Sequence, residues 1–365
     1  MKQREFFGRG NISSIRDILE EESARNIFLV TGKESYELSG AEGKLELLLR
    51  MYNVTRFNDF NPNPQFHSIE IGYKNFIRDN YDLIVAVGGG SVIDVAKAIK
   101  TFYFKDYKQK IPMVAIPTTA GSGSEATHYI VYYRGMEKQS EGESGISIPE
   151  YSICDPDFIA NLPKKVAASS GIDALSQAIE SNWSINSTES SKQFSRKAIR
   201  LLIENLEYSI KGHDRDTKSK VMIAANLSGK AIEVTKTTAC HSISYPITSY
   251  FKVPHGHAVG LTLGEMLTYN YYSKQKCIDQ RGEDYLKSTL EEISTLVGGR
   301  DVIEAKGVLY NLMNNLGLET KLSNLGVNKE GIDIIIKHGF NPKRVKNNPR
   351  HIDEKGLREI LENIY

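Results

Sequence analysis

Three short, unbroken apolar runs mark the first half of the chain: NIFLVTG (26–32), YDLIVAVGGG (81–90) and IPMVAIPTT (111–119). Each is bounded by turn residues and predicts a strand buried on both faces. Helical spacing lies between them, around 40–51 and in SVIDVAKAIKTFYF after the glycines. Strands alternating with helices predict a parallel, doubly wound, Rossmann-like sheet. The stretches 128–133 and 145–154 predict an additional hairpin or edge strands.

From LPKKVAASSG (162–171) onward the period changes to that of helices. Helical patterns cover 172–182, 188–211, 215–246, 257–270, 283–297, 301–316, 328–337 and 354–363. The chain therefore divides into an α/β domain, 1–160, and an all-helical domain, 161–365. Neither repeats nor low-complexity tracts interrupt it.

Composition narrows the function classes. With 365 residues and 40% hydrophobic content, the chain is long enough for two cores. The 46 Lys and Arg nearly cancel the 45 Asp and Glu, which argues against nucleic acid or an anionic membrane as the main partner. Cys154, Cys240 and Cys277 form no CxxC pair and are expected as reduced thiols. MKQREFFGRGNI lacks the apolar block of a signal peptide, and no apolar run would span a bilayer. A soluble, cytoplasmic protein is expected.

Four segments carry candidate chemistry. VGGGSVIDVAK (87–97) takes a buried strand through three glycines into a helix, where free amides and the helix dipole favour a phosphate. It is neither GxGxxG nor a P-loop. PTTAGSGSEAT (117–127) offers hydroxyl and amide donors after the next strand, at the sheet edge where α/β folds bind ligands. In GIDALSQAIES (171–181), Asp173 and Gln177 share one helical face. In TTACHSISYPITSYFKVPHGHAVGL (237–261), three of the eight histidines, His241, His255 and His257, fall close together. Tyr245 follows His241 by one turn, and Pro246 is expected to end or kink that helix. Several histidines converging with an aspartate suggest a metal or catalytic site.

These four motifs, in this order, with NNPR (347–350) near the C-terminus, resemble the iron-containing (group III) alcohol dehydrogenase family. That family includes zinc glycerol dehydrogenases and is related to dehydroquinate synthase. The resemblance implies the dehydroquinate synthase-like fold, with a site in the cleft between a nucleotide domain and a helical domain. It implies NAD(P)H and a divalent metal, Fe2+ or Zn2+. By motif matching, Gly88, Gly89, Gly90, Ser91 and Asp94 correspond to the pyrophosphate loop. Thr118, Thr119 and Ser122 correspond to further cofactor contacts, with Lys138 beside them. Asp173, His241 and His255 match three metal ligands. Homo-oligomers, dimers first, are the family's usual state.

Two positions depart from the family pattern. Gln177 and Tyr245 stand where the iron enzymes usually carry histidines. In one reading Asp173, His241 and His255 hold the metal, with Gln177 as a weak fourth ligand. In the other the metal is lost and a hydrogen-bonding group polarises the carbonyl. An acid usual in NAD-preferring relatives is replaced by Gly32, and Lys33 follows it, which favours NADPH or dual use.

The expected reaction is reduction of a small aldehyde to an alcohol, with Tyr245 or His257 as proton donor. Gln and Tyr at these positions resemble the phosphonoacetaldehyde reductase branch, which makes 2-hydroxyethylphosphonate. Lys236, Lys252, Arg344, Lys346 and Arg350 are candidate partners for such an anion. His128 is placed either at the nicotinamide or in packing. A reductase of ordinary small aldehydes and a dehydroquinate synthase-like lyase are the alternatives.

Overall fold

A computed structural model describes residues 3–212 and 214–365. The described residues divide into two compact units, 3–163 with 214–226, and 164–212 with 227–365. The boundary near residue 160 thus shifts by a few residues. The segment 214–226, expected in the helical domain, packs with the first unit instead.

The first unit holds β1 (Arg4–Phe7), α1 (Ile15–Glu21), β2 (Asn26–Thr31), α2 (Ser35–Leu38), α3 (Ala41–Leu49), β3 (Asn53–Phe57) and α4 (Phe66–Phe76). It continues with β4 (Leu83–Gly88), α5 (Gly90–Tyr107), β5 (Met113–Pro117), β6 (Ile130–Arg134), β7 (Glu137–Glu141) and β8 (Tyr151–Cys154). Six strands form one sheet in the order β1-β8-β5-β4-β2-β3, every pair parallel. The apolar runs are continuous because both faces of this sheet are covered. Ile27, Leu29, Leu83, Val85, Val87, Val114 and Ile116 enter one core. Their neighbours Phe28, Val30, Ile84, Ala86, Met113 and Ala115 enter the other. That alternation is the two-residue period of a strand.

The order reverses between β2 and β4. The crevice beyond their carboxyl ends is where open α/β sheets take ligands. Gly32 follows β2, and Gly88 ends β4 with Gly89 and Gly90 after it, so both sequence motifs open at this switch point.

Segment 128–133 does form a hairpin strand, but its partner is the polar β7, not 145–154. The latter stretch ends in β8, which joins the main sheet between β1 and β5. β7, EKQSE, carries no apolar alternation and so gave no strand signal.

The second unit is helical: α6 (Lys164–Trp183), α7 (Glu189–Lys211), the latter part of α8 (Arg215–Thr235), α9 (Ala239–Phe251), α10 (His255–Tyr272), α11 (Glu283–Val297), α12 (Val302–Asn315), α13 (Lys329–Gly339), α14 (Pro342–Val345) and α15 (Glu354–Asn363). The continuous helix expected over 215–246 is broken. Lys236, at φ 61°, leaves the helical region, and α9 restarts at Ala239. Pro246 neither ends nor begins a helix; α9 continues through it to Phe251.

Candidate functional site

In the first unit, α5 starts at Gly90 with Gly89 at its N-cap. A Cβ on Gly90 would meet Ser122 Oγ at 2.7 Å, and one on Gly89 would meet Thr119 at 3.2 Å. The two loops therefore stand face to face, and only glycine permits that approach. Thr118 N–H donates to Gly88 O (3.1 Å). Thr118 Oγ1 is buried and has no hydrogen-bond partner among the described residues. Ser91 Oγ accepts from Asn63 N–H at 3.2 Å. Gly88, Gly89, Gly90, Ser91, Thr118, Thr119 and Ser122 are thus brought together at the start of an 18-residue helix. That end offers unpaired amides and a partial positive charge, which suits a pyrophosphate.

Asp94 departs from the expected cofactor contact. It is buried, accepts from Ser124 Oγ and from Val131 N–H (3.0 Å), and pairs with the buried Lys97 (3.3 Å). Lys97 in turn donates to the carbonyls of Ser124, Thr127 and Tyr129. The Asp94–Lys97 pair braces the second loop from behind, and its carboxylate is consumed there. Lys138 lies on β7, opposite Tyr133 in the hairpin. Lys33, half-exposed after Gly32, sits 3.5 Å from Asn61 Oδ1 and 3.8 Å from Asp59. His128 rests against the Tyr129 ring, centroids 4.2 Å apart.

In the second unit Asp173, His241 and His255 converge from α6, α9 and α10. One ligand atom from each lies within 4.8 Å of the others. His241 Nε2 is 3.4 Å from Asp173 Oδ1, and His255 Nε2 is 4.0 Å from the same oxygen. Local structure sets this up. Lys252, at φ 60°, closes α9, and extended Pro254 caps α10, so the chain doubles back and His255 becomes the first helical residue.

Gly256 is a functional position that residue chemistry alone did not reveal. A Cβ there would lie 2.0 Å from Ser169 O and 2.7 Å from Asp173 Cβ. Only a glycine lets the start of α10 press onto α6 at Asp173. The PHG sequence was its one visible signal.

Each imidazole has its Nδ1 engaged away from the cluster. Ser244 Oγ donates to His241 O (2.8 Å), leaving its oxygen to accept from His255 Nδ1 at 3.3 Å. His241 Nδ1 bonds the buried carboxylate of Glu180. His241 Nε2 is itself buried and has no hydrogen-bond partner of good geometry among the described residues. Two borderline imidazole nitrogens with one hard carboxylate oxygen suit iron or zinc. The residues present therefore fit a divalent ion.

Burial alone would lower the His241 pKa, but the charges of Glu180 and Asp173 outweigh it and hold it raised, at about 9. Burial would likewise raise Glu180, yet His241 and Thr238 hold it below its usual value. At neutral pH the pair is an imidazolium and a carboxylate, so ligation at Nε2 releases a proton.

The remaining expectations resolve differently. Gln177 is buried one turn beyond Asp173. Tyr245 stands beside the cluster, its ring centroid 6.2 Å from that of His255. His257 does not join it. Two residues on from His255, it faces another way, and its Nε2–H donates to Glu319 O (2.6 Å). Burial lowers its pKa against the pull of Glu319, and a neutral, anchored imidazole is a poor proton donor here. Arg350 is also excluded as an anion partner. Its guanidinium is consumed by Asn270 O (2.8 Å), Gln275 O (2.7 Å) and Glu283.

The chain matches the model "Iron-containing alcohol dehydrogenase" over residues 3–156 and "Fe-containing alcohol dehydrogenase family, C-terminal" over 167–365. A phosphonoacetaldehyde reductase of Streptomyces viridochromogenes is 30% identical over 303 residues, 77% of this chain and 75% of that protein. The structure of a sulfoacetaldehyde reductase from Bifidobacterium kashiwanohense, in complex with NAD+, is 28% identical; the match covers 99% of this chain and 96% of that one, with a TM-score of 0.88. An iron-containing alcohol dehydrogenase from Thermotoga maritima is 26% identical, over 100% and 98% of the two chains, with a TM-score of 0.86. The parallel sheet with its helical partner unit is the fold of those enzymes, and the chain belongs to the iron-containing alcohol dehydrogenase family of nicotinamide-dependent oxidoreductases.

Proposed function

We propose that this enzyme reduces a small aldehyde bearing a terminal anion, phosphonoacetaldehyde to 2-hydroxyethylphosphonate first, with NADPH or NADH. The observation that carries the reading is the Asp173–His241–His255 cluster bordered by Gln177 and Tyr245, where relatives usually present histidines. Similarity to a phosphonoacetaldehyde reductase and a sulfoacetaldehyde reductase supports an anionic headgroup.

Asp173, His241 and His255 would hold the divalent ion. Such an ion supplies Lewis acidity at a carbonyl oxygen, and a nicotinamide supplies or accepts the hydride. The amides of Gly89, Gly90 and Ser91 bind pyrophosphate, and the Thr118 hydroxyl gives it or the adjoining ribose a partner. Lys33 pairs with a 2′-phosphate, since Gly32 stands in place of the acid that would repel it at the end of β2. Tyr245 hands a proton to the oxygen on which charge develops. Gln177 adds a carbonyl ligand or donates to the anionic headgroup, and it does either without titrating. A homodimeric, cytoplasmic enzyme completes the reading. The cytoplasmic part rests on the three free cysteines and, among the described residues, on the absence of any helix long and apolar enough to cross a membrane; the dimer rests on the family resemblance alone.

The test is steady-state reduction of phosphonoacetaldehyde, sulfoacetaldehyde, acetaldehyde and butanal with each cofactor. A kcat/KM at least about 10-fold higher for an anionic aldehyde, worth ~1.4 kcal/mol of transition-state binding, is expected. Equal or better use of acetaldehyde or butanal would reject the anionic substrate and leave a general aldehyde reductase.

A further inference from the structure

We propose that Glu180 is the positioning residue of the metal centre: it fixes the tautomer, orientation and height of His241 and so sets the affinity of the site for its ion. This rests on the reading that Asp173, His241 and His255 hold a metal.

Glu180 is fully buried on α6, two turns beyond Asp173. No sequence motif singled it out, because one Glu in a helix looks like solvated surface. Its carboxylate meets the start of α9. Oε1 accepts from Thr238 Oγ1 (2.7 Å) and Cys240 N–H (2.8 Å), with His241 N–H at 3.4 Å. Oε2 holds His241 Nδ1. Thr238, the N-cap of α9, makes no side-chain cap of its own. Glu180 supplies what the cap does not, a negative charge on the first-turn amides of a helix N-terminus.

The same carboxylate thus anchors both backbone and ring of one residue. Being an acceptor only when ionised, it demands N–H at Nδ1. Once the ring has released its second proton, as ligation requires, the Nε2 lone pair is directed at Asp173 and His255. The carboxylate is in turn held by Thr238, whose hydroxyl oxygen accepts from Trp183 Nε1–H at 2.9 Å. Trp183, Thr238, Glu180 and His241 form one buried chain ending at the ion's position. Partners of this kind orient a ligating imidazole and raise its basicity.

The experiment uses the full chain, freed of metal and titrated with Co2+ and with Zn2+. Glu180→Gln keeps the shape and still accepts from Thr238 and Cys240. Its amide N–H, however, faces Nδ1 and drives the imidazole proton to Nε2, toward the ion. We expect E180Q to bind Co2+ about 10–100-fold more weakly, the range for outer-shell losses at metal sites, with an altered Co2+ visible spectrum. Glu180→Asp, one methylene short, should fall between it and the parent. Thr238→Val, which removes one support only, should weaken binding least. E180Q and E180D binding Co2+ with the parent's affinity and spectrum, even if they melt earlier, would overturn the assignment and leave Glu180 a helix-capping residue only. Failure of the parent chain to take up either ion would instead overturn the metal reading itself.

Discussion

Nε2 of His241 stands 3.4 Å from Oδ1 of Asp173, although the two residues come from different helices and both are buried. An imidazole and a carboxylate this close, with the other ring nitrogen already engaged, leave one shared focus for a cation.

Removing either side of that focus should empty it. Asp173→Ala and His255→Ala are expected to cost more metal affinity than the roughly 100-fold ceiling of outer-shell changes, and to abolish aldehyde reduction. Metal analysis of the purified variants checks this; full occupancy in either would refute the ligand assignment.

Gln177→His restores the imidazole usual in the family, one turn from Asp173. This fourth ligand, a third nitrogen, should tighten Zn2+ binding by about 10-fold, given imidazole's advantage over an amide. The same variant should lose kcat/KM for phosphonoacetaldehyde more than for acetaldehyde. Parallel losses for the two substrates would show that Gln177 does not read the headgroup.

Gly256→Ala tests the helix contact that brings His255 to Asp173. A methyl group 2.0 Å from Ser169 O forces α10 outward. The overpacking should cost about 1–3 kcal/mol, seen as a lower Tm, and metal binding should weaken with it. An unchanged Tm with full metal content would contradict the close approach.

Lys33→Ala should raise KM for NADPH several-fold and leave KM for NADH unaltered. A change of equal size for both cofactors would assign Lys33 to some other duty than the 2′-phosphate.

Glu125, in the second loop, gives a pH-dependent test. It is buried, and burial raises its pKa against the hydrogen bond from Asn226 and the charge of Lys97. Folding therefore favours its protonated form. That contribution is fully present below the unfolded value of 4.5 and is lost as pH rises through the folded pKa. Glu125→Gln, which cannot ionise, should match the parent near pH 4 and gain on it above pH 5, about 3 °C in Tm per kcal/mol. Melting curves that stay parallel from pH 4 to pH 8 would remove Glu125 as the titrating group.

The sheet was legible because β2, β4 and β5 are apolar on both faces, which no surface element imitates. The edge strands β1 and β3 were not, since four of the five residues of β3 are exposed and no residue of β1 is fully buried. At the site, Asp173, His241 and His255 were legible as chemistry in familiar motifs. Gly256 was not, because its role is the absence of a side chain. Glu180 was not, because its partners arrive from a helix far along the sequence. The same limit misled the reading of His257 and Arg350. Each is the right residue type near the right motif, yet each is spent on a backbone carbonyl that only the folded chain brings near.

The three candidate ligands are unequally covered: the side chains of His241 and Asp173 are 5% and 10% exposed, that of His255 28%. Two donors are fixed in the interior and the third opens toward solvent. Exchange of a bound ion would then be expected to go through detachment of His255, the donor water can replace, with the inner pair preformed. Such a centre would load and unload faster than a fully enclosed one, and its ion would follow the supply in its surroundings rather than the conditions under which the chain first folded.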